Sequence, residues 1–334
     1  MAESDRLEAG VDTREDQVDW EGFAARFRTV QDNIEKVVQG KSREVRLALV
    51  ALVAEGHLLL EDVPGTGKTS LAKALANTVE GTHARIQFTP DLLPSDVTGV
   101  SVFNQERGDF EFKPGAIFAN IVLADEINRA SPKTQSALLE CMEERQVTVD
   151  TETYVLGAPF MVVATQNPIE HEGTYPLPEA QLDRFMMRIH VGYPGAEAEI
   201  GILATHGYHS TLEDLEPVAD AMVVAELAVQ AREVHVAPAL RRYIVSLAEG
   251  TRVHPDIYLG ASPRASIMLL RAARAMAASG GRDYVVPDDI KDLAIPVLAH
   301  RLIVTADAAM SGRDGATILS EVLQQVSVPV RGEA

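Results

Sequence analysis

Apolar positions along the chain change their period as the chain proceeds. Over residues 23–38, and again over 42–54, they recur at helical spacing. In the second stretch Val45, Leu49, Leu52 and Val53 fall on one side. Short apolar runs follow: His57-Leu58-Leu59-Leu60, then 84–88, 121–124, 160–164 and 186–191. The runs at 121–124 and 160–164 are apolar at every position, as in strands covered on both faces of a parallel sheet. Helical patterns lie between the runs. One of them starts with Ser131 as N-cap and Pro132 at the first helical position. Alternation of this kind predicts a doubly wound α/β domain. Two segments, 101–117 and 146–160, break the rhythm and read as inserted β-hairpins. From about residue 196 the pattern is helical: 225–234, 239–249, 264–278 and 287–299. The prediction is an α/β core with a central parallel sheet and β-hairpin inserts over 22–195. A smaller all-helical domain follows over 196–334, and an acidic flexible tail precedes the core over 1–21.

Composition adds limits to this picture. The chain has 334 residues, 46% of them hydrophobic, enough for two globular units. Residues 1–21 carry Glu3, Asp5, Glu8, Asp12, Glu15, Asp16, Asp19 and Glu21 against Arg6 and Arg14. The net charge of −19 argues against nucleic-acid binding, which leans on phosphate neutralisation, and favours protein partners. No apolar run reaches the length of a membrane span, so no membrane insertion is expected. The N-terminus lacks the basic and apolar regions of a secretory signal, and Cys141 is the only cysteine. Both point to a reducing cytoplasm, with Cys141 as a small core residue.

Chemistry concentrates where apolar runs end. Between the run ending at Leu60 and the helical pattern from Leu71 stands Glu61-Asp62-Val63-Pro64-Gly65-Thr66-Gly67-Lys68-Thr69-Ser70. A strand, a glycine-rich turn and a helix opening on Gly-Lys-Thr present backbone N–H groups and a helix dipole to a phosphate. Lys68 would reach the β- and γ-phosphates of ATP, and the Thr69 hydroxyl would ligate Mg²⁺. The pattern asks for glycine where this chain has Asp62. The run at 121–124 ends in Asp125-Glu126, one carboxylate for Mg²⁺ and one to act as general base. The run at 160–164 leads to Asn167, placed to hydrogen-bond the γ-phosphate and the attacking water, although Asn-Pro also favours a plain turn. Arg184 reads either as a surface partner of Asp183 or as a cation supplied to a neighbouring subunit, and sequence alone does not choose. Arg264 falls in the first turn of a helix capped by Ser262, where its charge opposes the helix dipole. His206 and His209 flank Gly207-Tyr208, with no third ligand to make a metal site.

Taken together, Glu61 to Thr69, Leu123-Ala124-Asp125-Glu126-Ile127-Asn128-Arg129-Ala130, Ala164-Thr165-Gln166-Asn167-Pro168, Leu177 to Phe185 and Ser262-Pro263-Arg264-Ala265 resemble an AAA+ ATPase of the MoxR family. The resemblance implies Mg-ATP hydrolysis, with Walker A at 63–70 and Walker B at Asp125-Glu126. Asn167 would be sensor 1, Arg184 an arginine finger acting in trans, and Arg264 sensor 2 in a helical lid. Gln39-Gly40 would border the adenine, in an order that departs from the more usual Val-Gly-Gln. It further implies a hexameric ring and chaperone-like work on protein clients, among them proteins with von Willebrand factor A domains. Alternatives are the motor subunit of a magnesium-chelatase-like metal-insertion complex, a DNA-acting ring motor, and a nucleotide-dependent scaffold without turnover.

Overall fold

The structure, a computed structural model, describes residues 18–168, 174–206 and 212–329. Helix α1 (Trp20–Glu35) opens on Asp19, whose carboxylate accepts from Gly22 N at 2.9 Å. Trp20 and Glu21, assigned from sequence to the acidic tail, therefore lie in a capped helix. Trp20 packs against the core, while most of the tail is outside the described residues. Helix α2 (Ser42–Val53) and strand β1 (Leu58–Glu61) follow, then α3 (Lys68–Thr78), β2 (Val79–Glu80) and β3 (His83–Gln87). Next come α4 (Pro94–Thr98), the hairpin β4 (Gly99–Asn104) and β5 (Asp109–Pro114), β6 (Ile121–Asp125) and α5 (Pro132–Glu144). A second hairpin, β7 (Gln146–Val149) and β8 (Glu152–Val155), precedes β9 (Met161–Gln166), α6 (Glu179–Leu182) and β10 (Met187–Ile189).

Five of these strands form one parallel sheet in the order β10-β1-β9-β6-β3. Alternate side chains along a strand face opposite sides, and the core follows that parity. Leu58, Leu60, Ile121, Leu123, Met161 and Val163 join one apolar cluster; Leu59, Val122, Ala124, Val162 and Ala164 join the other. Burial on both faces accounts for the unbroken apolar runs seen in the sequence. Leu58, Leu59 and Leu60 are each fully buried, worth about 1.5–3 kcal/mol apiece. An aspartate at position 59 would place a charge there with no partner and break the sheet centre. The register sets Glu61 beside Gln166 and Gln87 beside Asp125, so the polar strand ends emerge along one edge.

The hairpins are tied together by Phe112, which stacks on Tyr154 at 4.1 Å between ring centres, while Phe118 meets both rings edge-on.

The C-terminal half is helical: α7 (Ala196–His206), α8 (Ala221–Arg232), α9 (Pro238–Val253), α10 (Pro263–Ser279), α11 (Pro287–Leu298), α12 (Ala306–Met310) and α13 (Gly315–Gln325). Three short strands are threaded through it: β11 (Ala219–Asp220), β12 (Ile257–Leu259) and β13 (Ile303–Val304). Strands β12 and β13 pair antiparallel, and β11 pairs parallel with β2 of the α/β part. The apolar cluster on the β1-Leu58 side runs without a break from α1 and α2 into α8–α11 and α13. Packing is therefore continuous across residue 195. Cys141 is buried on the other face, where burial pushes its thiol up to about 12. His209 lies outside the described residues, while Tyr243 is buried and Tyr258 is exposed.

Candidate nucleotide site

The turn between β1 and α3 depends on two glycines. Gly65 and Gly67 have φ of +84° and +88°, a backbone conformation that other residues adopt only with strain. A Cβ at either would meet nothing within 4 Å, so backbone conformation rather than space demands glycine. The first-turn amides of α3 have no acceptor within the helix, and this end of α3 borders a cleft of about 410 Å³. Pro64, Gly65, Thr66, Gly67, Lys68, Thr69 and Ser70 form one wall of that cleft, and Asp125, Glu126 and Asn167 form the other. Val63 contributes from behind: its carbonyl accepts from Thr66 Oγ1 at 3.1 Å and from Lys68 Nζ at 2.7 Å.

A second cavity of about 300 Å³ shares Gly65, Thr66, Gly67 and Ser70 with the first. Its other walls are Val37, Val38, Gln39 and Lys41 on one side and Pro194, Ile202 and Leu212 on the other. An apolar slot joined to a polar cleft across a glycine turn matches a nucleotide's flat base and its phosphates. Gln39 lines this slot. Gly40 does not; it turns the chain at φ +70°, where a Cβ would stand 2.6 Å from Ala198 Cβ.

The two acids at the end of β6 differ in setting. Asp125 is buried, and its Oδ1 accepts from Thr165 Oγ1 at 3.1 Å and from Thr69 Oγ1 at 3.3 Å. Its Oδ2 accepts from Arg85 Nε at 2.8 Å. Thr69 and Asp125 are thus adjacent hard oxygen donors, the kind Mg²⁺ selects. Glu126 is more exposed and sits at φ +57°. That conformation is uncommon outside glycine and recurs at functional sites. Its Oε2 accepts from Gln87 Nε2 at 3.0 Å and from Arg129 Nη1 at 3.0 Å. Its own N–H donates to Thr165 Oγ1 at 2.9 Å. Thr165 therefore holds the two acids in fixed relation. Gln166 Oε1, also at the cleft, is buried with no donor among the described residues. Sequence reading missed Arg85, Gln87, Thr165 and Gln166. The alternation of Arg85 and Gln87 with Ile86 on β3 was the available signal.

Asp62 stands where the phosphate-loop pattern has glycine, yet its carboxylate does not line the cleft. Oδ1 accepts from Val63 N at 2.7 Å, and Oδ2 accepts from Gly192 N. The side chain fastens the turn to the chain leaving β10.

Arg184 and Arg264 occupy a different place. Neither lines the cleft or the slot. They meet instead on Glu143 of α5: Arg184 Nε stands 3.1 Å from Oε2, and Arg264 Nη1 pairs with Oε1. Ser262 caps α10 as the sequence suggests, its Oγ accepting from Ala265 N at 3.2 Å. The structure thus gathers the glycine turn, Asp125, Glu126 and Asn167 into one cleft and sets the two arginines together outside it.

A five-stranded parallel sheet with a phosphate-loop cleft at its strand ends and a helical C-terminal region defines an AAA+ P-loop ATPase. Comparison with known proteins agrees. Residues 57–187 match the ATPase family associated with various cellular activities (AAA), and residues 249–322 match the AAA lid domain. Chaperone MoxR1 of Mycobacterium tuberculosis is 42% identical over 92% of this chain and 85% of its own length. Protein MoxR of Paracoccus denitrificans is 34% identical over 86% and 90%. Protein YeaC of Bacillus subtilis, which is uncharacterized, is 50% identical over 91% and 95%. The crystal structure of a Cytophaga hutchinsonii protein assigned as an ATPase superposes with a TM-score of 0.86. It is 41% identical and covers 93% of this chain and 97% of its own. The chain belongs to the MoxR family of AAA+ ATPases. No helix among the described residues is long and apolar enough to cross a membrane.

Proposed function

We propose that the protein hydrolyses Mg-ATP as a ring of identical subunits and uses the cycle to remodel protein partners. The observation that carries this reading is the single cleft shared by the glycine turn, Asp125, Glu126 and Asn167. The adenine would enter the slot at Val37, Val38 and Gln39, and the phosphates would lie along the turn from Val63 to Ser70. Lys68 Nζ donates here to the carbonyls of Asp62 and Val63, and would exchange these for phosphate oxygens. Mg²⁺, held by Thr69 and Asp125, would neutralise charge on the β- and γ-phosphates. Glu126 takes the proton of the attacking water once it leaves Gln87 and Arg129. Asn167 orients that water at the end of β9.

The transferring phosphoryl group needs cations that this cleft supplies only in part. Arg184, paired with Arg264 on Glu143 and lining neither pocket of its own subunit, would serve the cleft of an adjoining subunit, with Arg264 contributing from the lid. That arrangement makes the ring a requirement for turnover. The name of the mycobacterial relative supports a chaperone-like role, and the net charge of −19 supports proteins over nucleic acid as partners. Division of labour between an α/β core over 22–195 and a helical lid over 196–334 belongs to this proposal. Glu126→Gln tests it: the variant should bind ATP, hydrolyse it very slowly and retain bound partner in a pull-down. Unchanged turnover would remove Glu126 from the mechanism.

A further inference from the structure

We propose that Arg301 is a positioning residue for Arg184, fixing the arginine edge to the helical region. The inference rests on the reading that Arg184 serves a neighbouring cleft. Arg301 ends the 3₁₀ turn after α11 and is 5% exposed. Its Nε donates to Asp183 Oδ1 at 2.7 Å. Nη2 donates to the carbonyls of Asp183 at 3.2 Å and Phe185 at 2.6 Å. Nη1 donates to the carbonyl of Met186 at 3.3 Å and to that of Val297. Four of these five contacts fall on the residues flanking Arg184. His300 adds a fifth hold on the same stretch, its Nε2 standing 3.2 Å from the Phe185 carbonyl.

The segment between α6 and β10 needs this anchor. Helix α6 is only 4 residues long, and pairing of β10 with β1 begins only at Met187, so the Asp183 and Phe185 carbonyls between them take their donors from Arg301. Buried carbonyls without donors cost about 1–3 kcal/mol each. An arginine is also a costly thing to bury, and an apolar plug would fill the space. What the plug could not do is hold successive carbonyls and a carboxylate with one rigid planar fork. That fork fixes the backbone on both sides of position 184, and hence the direction in which Arg184 departs. Burial draws Arg301 down to about 10, with Asp183 opposing the shift, so the fork stays charged at neutral pH. The Arg301 guanidinium also touches Met268, one turn along α10 from Arg264. Both arginines therefore spring from one body centred on Arg301.

The test uses the full-length protein with Arg301→Met, Arg301→Lys, Asp183→Asn and Arg184→Ala, reading assembly size, affinity for a non-hydrolysable ATP analogue, and kcat. Arg301→Met should lower kcat roughly 30-fold and Arg184→Ala roughly 100-fold, each leaving affinity within about two-fold. The double variant should be no slower than Arg184→Ala alone, because both act through one group. Arg301→Lys should recover part of the loss. Asp183→Asn, which keeps the carbonyl contacts, should lose roughly five-fold and carries the test if Arg301→Met does not fold. Multiplied losses in the double variant, or affinity falling in step with kcat, would reduce Arg301 to a structural role and overturn the proposal. Normal turnover in the Arg301→Lys and Asp183→Asn variants beside a dead Arg184→Ala would sink this inference alone. Normal turnover in Arg184→Ala would sink the trans reading and this inference with it.

Discussion

In the phosphate cleft, each wall is the end of a strand and the few residues that follow it: Lys68 after β1, Glu126 after β6, Asn167 after β9. At the arginine edge, Arg184 from the stretch between α6 and β10 and Arg264 from α10 converge on Glu143 of α5. The cleft is built from backbone amides and adjacent residues, so it needs only the sheet to be in register. The edge is built from distant elements, so it exists only when the helical region is docked and Arg301 is in place. On the proposed reading, the cleft would bind a nucleotide by itself, and the edge would act only beside a second subunit. On that reading, assembly would control hydrolysis.

The comparison can be broken at several strengths. Glu126→Gln strikes the cleft's chemistry and should lower kcat roughly 1,000-fold while ATP binding persists, as equilibrium dialysis would report. Acid should strike the edge instead. His57 and His300 are both buried, and both lie under the edge: His57 contacts the Met142 carbonyl at 2.9 Å and His300 that of Phe185 at 3.2 Å. Burial holds His57 down to about 4 and His300 well below its ordinary value of 6.5. The unfolded chain takes up these protons near pH 6.5, whereas the folded chain does not. Their contribution is therefore complete above that pH and is lost as pH falls from 6.5 toward 4. For His57 it is on the order of 3 kcal/mol. Thermal melts across that range should show Tm falling, and His57→Gln should flatten the slope. Next, Arg184→Ala and Arg264→Ala should each reduce kcat roughly 100-fold without weakening ATP binding. Loss of affinity in either would place that arginine in its own subunit's cleft. Smallest of all, Asp62→Gly should change ATP affinity less than about two-fold, because the carboxylate is spent on Val63 and Gly192. A calorimetric titration showing a large gain in affinity would mean that Asp62 faces the phosphates after all.

The same contrast governs what could be read before the fold was seen. Strands β1, β6 and β9 were visible as apolar runs because both faces are buried, and the chemistry sits at their ends in continuous sequence. Both hairpins were visible from their alternation. Helix α8 begins at Ala221 rather than near 225, because Asp220 caps it by accepting from Val223 N at 2.7 Å, and a cap aspartate beside short apolar residues carries little periodic signal. The short strands β12 and β13 escaped notice because their pairing joins residues far apart. The apolar slot's outer wall of Pro194, Ile202 and Leu212 has no motif, since it is gathered from α7 and from the stretches before and after it. Arg301 was passed over for a physical reason: nothing in a sequence marks an arginine as buried until the carbonyls that need it are in place. Asp62 was the reverse case, a departure from a motif that looked damaging until its carboxylate was seen to turn away.

The central claim is that a cleft in one subunit is completed by arginines from another. Mixing Glu126→Gln subunits, which keep their arginines, with Arg184→Ala subunits, which keep their base, measures it directly. Each variant alone should be nearly inactive. The mixture should recover a substantial share of wild-type ATP turnover, because intact clefts then stand beside intact arginines. Turnover that stays at the level of the separate variants at every mixing ratio would contradict the account and return Arg184 to its own subunit.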